Sequence, residues 1–123
     1  MAFTPLSIAA QFGHVQEVLA LIEAGADINV CNHIGWTPIY MAAGNGHDGV
    51  VKALIAAGVD IDKTDDIGWT PLLKVIECGH ETTVRILIEA GADINKASHS
   101  GWTAMLLAKN KGGDLNLRIR ELT

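Results

Sequence analysis

The sequence predicts an all-α solenoid, built from helix-turn-helix units separated by protruding hairpin-like loops. Three observations carry this. Shifted by 33 residues, the chain falls on itself: Gly35, Gly68 and Gly101 are each followed by Trp-Thr. Around these marks stand the residue types that start and stop short helices. Apolar residues make up 49% of the chain, yet aromatics are only three Trp, two Phe and one Tyr. A core is therefore available, but it must be packed from small aliphatic side chains.

Thr-Pro opens each first helix. Thr37 can cap orphan amides while Pro38 occupies the first helical position, where its missing N–H costs nothing. A short helix is expected over 38–44. Gly46 closes the connection and His47 opens a second helix reaching residue 57, with Val51, Leu54 and Ile55 at helical spacing. Gly58 is placed for a left-handed C-terminal cap. The Asp-, Thr- and Gly-bearing stretch that follows reads as an extended turn running to Trp69.

Two further marks keep the same phase. Gly-His recurs at Gly13-His14, Gly46-His47 and Gly79-His80. Gly25-Ala26-Asp27-Ile28-Asn29 is echoed from Gly58 and from Gly91. The frames are 1–31, 32–64, 65–97 and 98–123, two full units between two shorter ones, in a single domain with no expected room for a catalytic domain. No unit can bury both helices alone, so neighbours must stack into one continuous core. Ala9, Ala42 and Ala108 share a phase that lets helices approach closely, and Val75 interrupts it. In the last unit Leu115, Ile119 and Leu122 form an apolar stripe with Arg118 and Arg120 elsewhere, which reads as a polar terminal helix over 114–122. The alternation of Leu115, Leu117 and Ile119 also fits a strand.

Thr-Pro-Leu-x-x-Ala-Ala at 4–10, Thr-Pro-Ile-Tyr-Met-Ala-Ala at 37–43, and the Gly-His and Gly-x-Asp-Ile-Asn/Asp marks resemble the ankyrin repeat over essentially the whole chain. The resemblance implies L-shaped units with a concave groove formed by the first helices and the loop tips. One departure stands out. The family's Thr-Pro-Leu-His has no His here, its slot holding Ser7, Tyr40, Leu73 and Leu106, so the imidazole's polar contact must be absent or replaced. Lys74 falls on the otherwise apolar phase of Ile8, Met41 and Leu107, and its ammonium is expected near Glu77.

Site chemistry is hard to assemble, and no enzyme is expected. His14, His47 and His80 belong to the repeat and have a structural cause. Cys31, Cys78, His33 and His99 lie on different units, too far apart to converge on one zinc ion or to form a disulfide. Phosphate-binding and nucleophile-elbow motifs do not occur. No cofactor is therefore expected. A net charge of −5 disfavours binding to nucleic acid. No apolar run suits a membrane span, and the N-terminal stretch does not read as a secretory signal. With two cysteines, the expected setting is reducing and cytoplasmic.

What remains is an aromatic row. Trp36, Trp69 and Trp102 share one phase, on which Phe3 also lies, and Tyr40 and Phe12 fall near the same face. Carried over from the resembled family, the groove positions of the first loop and helix are His33, Ile34, Trp36, Gly44 and Asn45. Those of the next unit are Asp66, Ile67, Trp69, Glu77 and Cys78, and those of the last are His99, Ser100, Trp102, Asn110 and Lys111. Tyr40 is added as a partner-contacting aromatic near the exposed start of its helix. Trp and Tyr are enriched among binding hot spots. The same Trp rings could instead pack on neighbouring loops and stabilise the hairpins, a role weighted towards Trp102. The expected function is that of a monomeric module binding a protein or peptide, as adaptor or stoichiometric inhibitor. The alternative is a purely structural unit or a piece of a longer array.

Overall fold

The computed structural model describes residues 4–111, Lys111 by its backbone alone. Phe3 and the terminal helix or strand expected over 114–122 lie outside the described residues. Seven helices are described: α1 (Pro5–Phe12), α2 (Val15–Glu23), α3 (Pro38–Gly44), α4 (Asp48–Ala56), α5 (Pro71–Cys78), α6 (Glu81–Glu89) and α7 (Ala104–Lys111).

The sequence marks act as expected. The hydroxyls of Thr4, Thr37 and Thr70 accept the amides of Ser7, Tyr40 and Leu73 at 3.1–3.2 Å, with proline in the first turn each time. Thr103 does the same for Leu106 at 3.3 Å, although Ala104 replaces the proline. At the other end of a pair, Gly58 adopts φ 85°. Its amide reaches the carbonyl of Ile55 while the amide of Val59 reaches that of Leu54, so two orphan carbonyls of α4 are satisfied.

First helices stack in the order α1, α3, α5, α7, and second helices in the order α2, α4, α6, giving two layers. Leu6, Ile39, Leu72 and Leu73 come from the first layer, and Val18, Val50, Leu54 and Leu87 from the second; all are fully buried between them. Full burial of such a side chain contributes about 2 kcal/mol. Ala9, Ala42 and Ala108 are buried at the close approach, and Val75 fits the same slot without exposure.

Polar side chains also fasten unit to unit. Nε2 of His47 lies 3.0 Å from the carbonyl of Gln11, and Nε2 of His80 lies 3.0 Å from that of Gly44. Each imidazole thereby satisfies a carbonyl at the end of the preceding first helix, which is the structural cause anticipated for the Gly-His mark. His14, in the first described unit, is exposed. On the second layer the buried Thr83 hydroxyl donates to Asp48. At the loop bases Asn29 Oδ1 accepts the amide of Asp60, and Asp62 Oδ1 that of Asp93, both at 2.9 Å.

Candidate functional site

Each hairpin is organised by one side chain four residues before its tryptophan. Asn32 Oδ1 accepts the amides of Ile34 and Trp36 at 3.1 and 2.9 Å, and Asp65 Oδ1 accepts those of Ile67 and Trp69 at 3.0 and 2.9 Å. Ser98 Oγ accepts the amide of Trp102 at 3.1 Å. The backbone closes the same turns, for example from the Asn32 amide to the Trp36 carbonyl at 3.0 Å. Gly35 serves two purposes at once. Its φ is 85°, and a Cβ there would sit 2.8 Å from Asp65 Cα. Through that gap successive tips join: the amide of Asp66 donates to the carbonyl of Ile34 at 3.2 Å, and that of His99 to Ile67 at 3.1 Å. The tips thus form one continuous wall facing the first helices.

Tyr40 corrects the sequence expectation. It is not at an exposed helix start but 3% exposed, because α3 lies under the hairpin of the following unit. Its hydroxyl donates to Asp65 Oδ2 at 2.7 Å. Asp65 is itself buried, so its two carboxylate oxygens accept three hydrogen bonds and neutral donors compensate its desolvation. Burial, then the hydrogen bond and the negative charge of Asp65, push the phenol well above its ordinary pKa. Tyr40 is therefore a protonated donor throughout the neutral range. In unit 2 the missing imidazole is replaced by this phenol; in unit 1, Ser7 Oγ pairs with Thr4 Oγ1 at 2.9 Å.

The Tyr40 ring stacks on Trp36, with centroids 5.5 Å apart and planes inclined by 20°. Above the indole lies a cation: Lys74 Nζ is 5.4 Å from its centroid. The stem of Lys74 runs beside Gly44, where a Cβ would meet its Cγ at 3.2 Å. The apolar-phase lysine thus reaches from α5 back across the end of α3.

These parts enclose an open cleft of about 620 Å³. Its lining includes Ile34, Trp36 and Tyr40 from the second unit, Asp66, Ile67, Trp69 and Glu77 from the third, and Trp102 from the last. Nine of the sixteen anticipated positions, these eight and Asn110, are therefore brought together. His33, Asn45 and His99 do not line the cleft. His33 and His99 are exposed, and the Asn45 amide donates to the carbonyl of Gln11 at 3.1 Å, beside a smaller hollow. Trp36 and Trp69 are half-buried, and Trp69 packs against the core. Trp102, weighted towards hairpin packing, is the more exposed indole at 38%. Asp65, Lys74 and Leu107 also line the cleft. Asp65 was missed as a site residue, although its place four residues before Trp69, in the phase of Asn32 and Ser98, was a readable signal for a turn-tying side chain.

Cys31 is half-buried and Cys78 exposed, both as free thiols. Among the described residues no group of three or more His, Cys, Asp or Glu is placed to hold a metal ion, and no helix is long and apolar enough to cross a membrane.

Two stacked helical layers, tethered unit to unit and carrying an aromatic cleft on one flank, define a helical repeat protein. The model of the family described as ankyrin repeats (3 copies) matches residues 2–65 and 49–118. The chain belongs to the ankyrin-repeat family, whose repeats are generally protein–protein interaction modules. No curated protein matches the sequence.

Proposed function

We propose that the chain binds a protein or peptide partner in this cleft, over repeat frames 32–64, 65–97 and 98–123, as an adaptor or stoichiometric inhibitor acting as a monomer inside the cell. One observation carries the reading: Ile34, Ile67 and Trp102 are 37%, 58% and 38% exposed around a single cleft. A soluble surface gains nothing by leaving such groups in water together, whereas an interface gains their burial. The backbone around them is fixed by the hairpin bonds, so little ordering entropy opposes binding.

The test is to capture partners from cell extract with the wild-type chain and with the Ile67→Ala and Trp102→Ala variants. Ile67 is mostly exposed, so the unfolding free energy of its variant should stay within about 0.5 kcal/mol of wild type; Trp102→Ala should cost more yet leave the chain folded, and capture is lost with both. Loss of stability with capture intact would refute the reading. A structural or assembly role is the second reading. It is favoured by Ile8, Phe12 and Leu19, exposed on the first unit at 45%, 61% and 44%. Concentration-dependent sedimentation of the wild type, abolished by Ile8→Ser with Phe12→Ser, would support that role.

A further inference from the structure

We propose that the cleft takes a basic anchor, an arginine or lysine side chain presented by an extended partner segment. This rests on the proposed cleft-binding function and adds the chemistry of its ligand. Among the described residues, the lining holds three carboxylates, Asp65, Asp66 and Glu77, against one ammonium, Lys74, a formal excess of two negative charges. Asp65 is the buried one, its two oxygens accepting three hydrogen bonds at the cleft's floor. Asp66 is exposed beside Ile67, so an incoming cation meets it before full desolvation.

The aromatic wall has the matching property. Indole faces attract cations, and the chain already seats one on this wall, Lys74 over Trp36. With Trp36 covered in this way, Trp69 and Trp102 are the indoles left to an incoming group. An arginine or lysine satisfies both halves of the site. Its methylene stem covers Ile67 and Trp102, which are too exposed to be left in water, and its head reaches the carboxylates. A purely aliphatic anchor would bury Asp66 without a partner, and an acidic one would oppose the excess negative charge. The cleft's size, about 620 Å³, accommodates several side chains of an extended segment.

The test is selection of a random twelve-residue phage-displayed library on the intact chain, followed by affinity measurement with synthetic peptides. Selected peptides should share an arginine or lysine at one position. Replacing it by glutamine should weaken binding at least tenfold, and Asp66→Asn should weaken it about fivefold without moving the unfolding midpoint. Raising salt from 50 to 500 mM should weaken binding further. Charge reversal should restore it: Asp66→Lys should prefer the peptide carrying glutamate at that position. An acidic or wholly aliphatic consensus that loses binding on Trp102→Ala overturns the basic anchor and leaves cleft binding standing. Peptides that bind Trp102→Ala and Ile67→Ala as well as wild type overturn both, as does a selection that enriches nothing.

Discussion

Units 2 and 3 use the same slot differently. In unit 2 it holds Tyr40, whose hydroxyl is bonded to Asp65 at the base of the next hairpin. In unit 3 it holds Leu73, fully buried, and the base of the next hairpin holds Ser98. Leucine has no proton to donate, so the junction towards unit 4 is held at this point by packing alone. Both slots fill the core, but only the first orients the loop above it. One wall of the cleft, Trp36 on Tyr40 beside the Asp65 turn, is therefore locked. Among the described residues, the wall carrying Trp102 has one side-chain bond, from the Trp102 amide to Ser98 Oγ, beside its backbone turn and the His99–Ile67 backbone bond. Repeats with one shared backbone plan can thus differ in stiffness through a single polar pair.

The largest effect should come from Asp65→Ala. It removes three hydrogen bonds and leaves the buried Tyr40 hydroxyl unsatisfied, so urea unfolding should show a loss of about 3 kcal/mol. At the softer junction, Ser98→Ala should lose only about 1 kcal/mol. Equal losses would erase the asymmetry.

Tyr40→Phe comes next, at about 1.5 kcal/mol, because one carboxylate oxygen loses its donor. It also carries a pH signature. Burial and Asp65 raise the folded phenol's pKa, so above about pH 10 the unfolded chain releases a proton that the folded chain keeps. The unfolded state then binds fewer protons, and stability falls with rising pH by up to about 1.4 kcal/mol per unit. Below that range the contribution is fully present. The chain has one tyrosine, so Tyr40→Phe should remove this alkaline component outright. Phenolate absorbance should appear only as the protein unfolds; a phenol titrating in the folded state near pH 10 would contradict the buried pair.

Transplanting the pair sharpens the contrast. Leu73→Tyr combined with Ser98→Asp should show a favourable coupling of about 1 kcal/mol in a double-mutant cycle, whatever strain each single change brings. The smallest effect belongs to Lys74→Met. It keeps an apolar stem over Gly44 but removes the cation from Trp36, and should cost about 0.5 kcal/mol.

Much of this was legible in the residues. Thr37, Pro38 and Gly58 act locally, within a few bonds of where they stand, so helix starts and stops followed from sequence. The row of Trp36, Trp69 and Trp102 followed from phase, because a repeat puts equivalent residues on one flank, and the other groove positions were carried over from the resembled family. Tyr40 was misjudged for a reason outside its own helix: its environment is set by a hairpin that begins 25 residues later. Asp65 was overlooked for the complementary reason. As a turn residue it is unremarkable, and only the phenol arriving from the preceding unit makes it part of the cleft's floor.

The sequence alone determined the period, the helices and the flank on which the aromatic row lies, since propensity, capping and side-chain phase are short-range. The tertiary structure decided which of those aromatics are buried, which face of Trp36 a lysine covers, and how far the carboxylates outnumber the ammonium in one cleft. Those outcomes depend on distances between residues on different units, and such distances exist only once the layers have stacked.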